Sequence, residues 1–212
     1  TLKLGNNLSG SWVPYLNTAS SDWSVSSILD TIVVAGNGGK NCRTTAGRIE
    51  VCNRKYGNNG WLGLAQIWIS GPHITQALAK MNDTYFTSPS YNTPAWKRLV
   101  MCQEVAHTFG LDHQSTDGSS QNSCMDYFSN TGANATSTLS TKPNKHDFDQ
   151  LKLIYGHLDS FNSSFGNVAA SAASLPSADA AASAASAPAL PYAAVAASAA
   201  SASAAHAADV DI

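Results

Sequence analysis

The stretch MCQEVAHTFGLDHQ, residues 101–114, sets two histidines and a glutamate at fixed spacing around a glycine. On a helix, positions 103 and 107 lie one turn apart on the same face. Glu104 then lies beside that row rather than in it. Gly110 permits a left-handed backbone, which can turn the chain sharply and return His113 toward His107. The spacing therefore predicts one site, of a kind that binds a metal ion through the histidines.

The helix that carries this site is predicted to begin well before it. Thr93 is a good N-cap, Pro94 suits the first helical position, and Gly110 is expected to end the helix. Two more helices are predicted, over SWVPYLNTASSDW at 11–23 and over NKHDFDQLKLIYG at 144–156.

Four segments outside the helices are rich in alternating or β-branched residues, which favours strands. For the last of them a helix is not excluded. The order, with helices before, after and across the far end of the strands, predicts a layered α/β (α+β) domain. The segments are SSILDTIVVAG at 26–36, GRIEVCN at 47–53, WLGLAQIWIS at 61–70 and HITQALAKMN at 73–82.

The composition is typical of a secreted protein. Charged residues make up only 12% of the chain, about half the usual share. A net charge of −2 gives no reason to expect nucleic acid or an anionic membrane as a partner. No apolar run approaches the roughly 18 residues that span a bilayer. We therefore expect an extracellular protein, whose signal or pro-segment is not in this chain.

An even number of cysteines without C-x-x-C spacing favours two disulfides over a zinc ribbon. Four cysteines allow three pairings, and we favour the one in which the first bond closes a short loop. That pairing joins Cys42 to Cys52 and Cys102 to Cys124.

The composition changes sharply near Asp159, which divides the chain into a globular domain at 1–160 and a tail at 161–212. From residue 171 to 212, 29 of 42 residues are Ala or Ser, with prolines interspersed. Such a segment cannot build a packed face, so we predict a disordered or loosely helical tail. The alternative is a tail that folds back across the site as a mask.

The segment SCMDYF, at 123–128, begins ten residues after the second histidine and adds a methionine and a tyrosine. Together with E-x-x-H-x-x-G-x-x-H it resembles the metzincin metallopeptidases. GLDH is similar to matrixins and CMDY to astacins and serralysins. The resemblance covers about residues 10–160, most strongly 94–127. It implies a twisted five-stranded mixed sheet with an active-site helix, an N-terminal helix and a C-terminal helix.

Each matching residue takes a role from the family. His107 and His113 would be zinc ligands, and Glu104 would be the general base that activates a zinc-bound water. Met125 would form the floor of the site, and Tyr127 would ligate zinc or hydrogen-bond the oxyanion. The resemblance thus implies a secreted zinc-dependent endopeptidase with one catalytic zinc ion.

The resemblance also supports the Cys102–Cys124 bond, since it sets the methionine turn beneath the helix that holds Cys102. It implies that GLAQIWIS, at 63–70, is an edge strand that binds an extended protein or peptide substrate by strand addition. We expect a monomer. Calcium binding, by Asn82 and Asp83 or by the loop DHQSTDGSSQN, is only weakly indicated.

Gln103 departs from the family pattern, since it stands where the first zinc-ligand histidine is expected. Its amide oxygen is neutral like imidazole but is a poorer donor to zinc. Three hypotheses follow. Gln103 ligates zinc in an active peptidase, or the site is degenerate and the domain is a binding or inhibitory pseudo-protease. In the third, water or Tyr127 takes the place of the missing ligand, with zinc or another metal bound.

Overall fold

A five-stranded mixed sheet and three helices form the fold in a computed structural model, which describes residues 1–157. The strands lie in the order β2-β1-β3-β5-β4, and all neighbours are parallel except β4, which runs antiparallel to β5 at one edge. This agrees with the coarse fold class predicted from the sequence. The strands are β1 (Leu2–Asn7), β2 (Thr31–Ala35), β3 (Ile49–Arg54), β4 (Gly63–Ser70) and β5 (His73–Asn82); the helices are α1 (Val13–Trp23), α2 (Pro94–His107) and α3 (Lys145–Tyr155).

The first strand was not identified from the sequence. Its residues, LKLGNN, hold only two large apolar side chains, too few for a convincing alternation. Parallel pairing with both β2 and β3 nevertheless puts β1 near the middle of the sheet, with Leu4 fully buried. The ambiguous segment 73–82 is a strand, because it pairs with β3 on one side and with β4 on the other.

The helix start signals predicted for α2 are present. The Thr93 side chain accepts a hydrogen bond from the Trp96 N–H, and Pro94 is the first helical residue. The helix ends at His107 rather than at Gly110. Turns closed by backbone hydrogen bonds between residues three apart lead from His107 to Gly110. Gly110 has a φ of 85°, the left-handed conformation that the predicted sharp turn requires.

The main core lies between the sheet and the helices α1 and α2. Trp23, Trp96 and Phe109 are among its largest fully buried side chains. The Trp23 indole N–H donates to the Cys102 carbonyl at 3.2 Å, which ties α1 to the middle of α2. Leu151 of α3 is a fully buried member of the same core.

Both predicted disulfides are confirmed. Cys42 is bonded to Cys52, and Cys102 is bonded to Cys124. The first joins β3 to the preceding loop, away from the main core. The second joins α2 to the segment that contains Met125.

None of the helices in residues 1–157 is long and apolar enough to cross a membrane. The tail predicted at 161–212 lies outside the described residues.

Asn82, at the end of β5, organises the loop that leads into β4. Its amide nitrogen donates to the Gly57 and Trp61 carbonyls and to the Asn59 side chain, at 2.9 to 3.1 Å. Its oxygen accepts from the backbone N–H groups of residues 56 and 84. Because Asn82 is fully buried, water cannot replace these bonds.

We expect Asn82→Ala to lower the free energy of unfolding by at least about 2 kcal/mol, since it strands several buried polar groups. For a domain of this size the melting temperature should fall by roughly 4–8 °C. Thermal unfolding followed by circular dichroism measures both. The control is Asn59→Ala, which removes an exposed partner of the same network and should change little. Equal losses in the two variants would contradict this role for Asn82.

Candidate metal centre

The α2 helix buries three of the predicted site residues together. Gln103, Glu104 and His107 are each less than 10% exposed. The turn after the helix then brings His113 back, as was predicted from Gly110. The His113 side chain is only 4% exposed. The Nε2 atoms of His107 and His113 lie 3.1 Å apart. The structure therefore brings His113 back against His107, on the helix that also carries Gln103 and Glu104.

One acceptor oxygen lies near the Nδ1 atom of each ring, on the side away from the other histidine. His107 Nδ1 lies 2.8 Å from the Leu111 carbonyl oxygen, so Nδ1 carries the hydrogen. His113 Nδ1 lies 3.4 Å from the Asp112 carboxylate, which favours a hydrogen there too. In the tautomers with both hydrogens outward, the two inner lone pairs face each other, an arrangement that a metal ion between them would stabilise. Metal-binding histidines in proteins commonly donate their second ring N–H to such oxygens.

The separation of the two inner nitrogens suits zinc. Nitrogen ligands of a tetrahedral zinc ion, each about 2.0–2.1 Å from the metal, are about 3.3 Å apart. Within residues 1–157, however, no group of three or more His, Cys, Asp or Glu side chains is arranged to hold a metal. A third protein ligand here would have to be of another type, and Gln103 is the residue one helical turn before His107.

Two backbone carbonyls fix the orientation of the Gln103 amide. Its nitrogen donates to the Cys124 oxygen at 2.9 Å and to the Asp126 oxygen at 3.2 Å. Since carbonyl oxygens only accept, the NH2 group must be the side that faces them. The amide oxygen is the atom that remains for a ligand. The sequence showed that Gln103 stands in place of an expected histidine, but it did not indicate the hydrogen bonds to Cys124 and Asp126.

Glu104 is buried against the edge strand β4. The Ala65 backbone N–H donates a hydrogen bond to its carboxyl group. Burial raises the pKa of Glu104 to about 8, and the hydrogen bond from Ala65 opposes that rise. A divalent cation beside it would favour the ionised form.

A short parallel bridge assembles the second half of the site. The Gln114 N–H donates to the Met125 carbonyl at 2.8 Å, and the Tyr127 N–H donates to the Ser115 carbonyl at 3.0 Å. This pairing sets the Tyr127 ring edge-on to the His113 ring, with centroids 4.5 Å apart. Two segments that lie ten residues apart in the sequence therefore meet at one side of the histidine pair.

Met125 and Tyr127 lie in different surroundings. Met125 is fully buried in the main core, in the same cluster as residues of α2. Its role as the floor of the site stays a prediction. Tyr127 is partly exposed. Burial of its hydroxyl, with the negative charges of Asp112 and Glu104, raises the pKa of Tyr127 to about 12. Its hydroxyl therefore remains a hydrogen-bond donor at neutral pH.

The sequence did not identify the carboxylates that hold the turn at 123–127. One Asp126 oxygen accepts from the backbone N–H groups of Gln121 and Ser123 and from the Ser140 hydroxyl. The Ser123 hydroxyl donates to Asp147 at 2.6 Å. Asp147 also completes the capping box of α3, so the start of that helix supports the turn. The N-x-x-D capping pattern at 144–147 was the one available signal.

The side chains proposed for calcium already have protein partners. The Asp83 carboxylate accepts from the Trp12 indole and the Asn53 amide, and Asn82 holds the loop before β4. In the loop after His113, Asp117 accepts from Ser115 and from the backbone and hydroxyl of Ser119, and these bonds lower the pKa of Asp117 to about 2. Calcium binding stays a prediction.

Comparisons of the chain with protein-family models and with curated proteins find no match.

The Cys102–Cys124 bond joins the residue before Gln103 to the residue whose carbonyl holds its amide. We expect the double variant C102A/C124A to bind Zn²⁺ at least about tenfold more weakly, as losses of supporting contacts around metal ligands typically do. It should also lose about 3 kcal/mol of stability. Isothermal titration with zinc and thermal unfolding measure the two effects.

The matched control is C42A/C52A, which removes a disulfide outside the main core. It should cost about 3 kcal/mol as well, yet leave zinc affinity unchanged. Equal zinc affinities in the two double variants would show that the Cys102–Cys124 bond does not position the site.

Proposed function

We propose that this chain is a zinc-dependent endopeptidase of metzincin type that acts outside the cell. The observation that carries the proposal is the 3.1 Å approach of two histidine Nε2 atoms, beside a buried glutamate and the edge strand of the sheet. The two disulfides are consistent with an oxidising, extracellular environment.

His107, His113 and the amide oxygen of Gln103 are the residues that would hold zinc. The Nδ1 atom of each imidazole lies near an acceptor oxygen, and the Gln103 amide nitrogen donates to two backbone carbonyls. Three neutral ligands would be left, which preserves the charge of a three-histidine site. A bound zinc ion would supply Lewis acidity, which polarises a carbonyl and acidifies water.

Glu104 is the proposed general base. Its ionised carboxylate accepts a proton from the attacking water and then delivers that proton to the leaving amine. The Ala65 N–H keeps the carboxylate in place beside β4, so a substrate lying along this strand would present its peptide bond close to the base.

Tyr127 is the proposed donor to the oxyanion that forms on the attacked carbonyl. A hydroxyl with a raised pKa keeps its proton, and the ring is held against His113 by the pairing of 113–115 with 125–127. The substrate would add to the outer edge of β4, where Trp68 and Ile69 are exposed. We infer that an extended, partly apolar peptide suits this strand.

Glu104→Gln keeps the shape of the side chain but removes its ability to accept a proton. We expect peptide hydrolysis to fall about 10²- to 10⁴-fold, while zinc content stays unchanged. A quenched-fluorescence peptide library measures hydrolysis, and elemental analysis measures zinc. If zinc is bound but neither protein cleaves any peptide, the domain is a pseudo-protease; cleavage that survives the substitution would remove Glu104 as the base.

Gln103→His replaces an amide oxygen by a better zinc donor, at the cost of hydrogen bonds to the Cys124 and Asp126 carbonyls. We expect zinc binding to become tighter by roughly tenfold or more. Gln103→Leu, of similar size and without a donor atom, should bind zinc more weakly than the parent. Competition titration against a chelator ranks the three proteins. Identical affinities would mean that Gln103 is not at the metal.

A further inference from the structure

Gly63, the first residue of β4, lies directly against the Glu104 side chain. A Cβ atom built on Gly63 would be 2.5 Å from Glu104 Oε1 and 2.7 Å from Cδ, and it would also collide with Cγ. Real side-chain contacts do not come this close, so any other residue at 63 would occupy space that the Glu104 carboxyl group now fills. Both residues are buried, which leaves the carboxyl little room to move aside.

The backbone does not require glycine at this position. Gly57 and Gly60, in the loop before β4, have φ values of 92° and 84°, which favour glycine. Gly63 is not among the positive-φ glycines, and it pairs with Met81 in regular antiparallel register. A glycine within a strand weakens it unless a close approach needs the space. Here the group that approaches is Glu104.

Ala65 lies on the same face of β4 as Gly63, because strand side chains alternate. Its backbone N–H donates to the Glu104 carboxyl group. The carboxyl is therefore confined between the helix that carries it and two successive inward positions of the edge strand. Space at Gly63 and a hydrogen bond at Ala65 together select one position for the group.

We propose that Gly63 is a positioning residue for Glu104: its missing side chain makes the space that sets where the carboxyl group lies. The inference rests on the proposed function only in assigning Glu104 as the base. A larger residue at 63 pushes the carboxyl away from the Ala65 N–H and out of line with the substrate's peptide bond. The proposal concerns the rate of the chemical step, since zinc ligands and the outer edge of β4 are untouched.

The test is a double-mutant cycle with Gly63→Ala, Glu104→Ala and the double variant. Thermal unfolding is measured for all four proteins, with no dependence on activity. We expect Gly63→Ala to lower the melting temperature by several degrees when Glu104 is present. In the Glu104→Ala background the same change should be neutral or stabilising, because the new methyl group enters the vacated space. If Gly63→Ala alone fails to fold, recovery of folding in the double variant supports the proposal equally.

Leu64→Ala is the matched control, since residue 64 faces away from Glu104 in the same strand. It should lower stability by the same amount in both backgrounds. The proposal is overturned if Gly63→Ala also costs the same in both, because the glycine would then serve the strand rather than the carboxyl group.

Kinetics supply the second readout. Gly63→Ala should reduce kcat at least about tenfold with KM and zinc affinity nearly unchanged. A rise in KM alone would overturn the positioning role and assign Gly63 to substrate binding. If the stability coupling is found but the parent protein hydrolyses no peptide, the contact stands and the proposed peptidase function fails, so the two failures are distinct.

Discussion

The attachment of α2 to the turn at 123–127 is the constraint on which the candidate site depends. Three interactions join them around one point: the Cys102–Cys124 bond and the two hydrogen bonds from the Gln103 amide. This turn also pairs with residues 113–115, so the same attachment controls where His113 lies. A glutamine side chain is flexible, and two hydrogen bonds from its nitrogen fix the orientation of its amide oxygen. The turn therefore restricts the Gln103 amide to one orientation, much as the rigid ring of a histidine restricts its nitrogens.

Polar side chains outside the site hold this arrangement in place. Asp126 and Asp147 are buried, and their oxygens accept from backbone N–H groups and serine hydroxyls of the turn. A buried carboxylate that lost these donors would be costly, so the network tolerates few alternative conformations. On the opposite side, the loop before β4 depends on Asn82 in the same way. Polar contacts thus hold both the turn at 123–127 and the loop before β4, while Met125 lies in the apolar core.

Local signals predicted the parts of the molecule that local chemistry decides. The cap at Thr93, the proline after it and the turn at Gly110 were readable because each acts within a few residues. β1 was missed because its short, polar sequence becomes a central strand only through its neighbours on both sides. Asp126 and Gly63 were missed for a related reason. Asp126 accepts from Ser140, 14 residues away, as well as from two nearby N–H groups, and Gly63 lies against Glu104 of a different element. Neither residue type is unusual at its place until the fold brings these distant partners against it.

The buried amide of Asn82 has a further consequence for a chain that passes through a eukaryotic secretory pathway. Asn82, Asp83 and Thr84 form an acceptor sequence for N-linked glycosylation. The sugar attaches to the same nitrogen that donates hydrogen bonds to the Gly57 and Trp61 carbonyls. A glycan there would remove one donor hydrogen and force a bulky polar group into the interior. Glycosylation at this position and the folded loop therefore exclude each other, so a molecule that carried a glycan here could not form the loop before β4 as described.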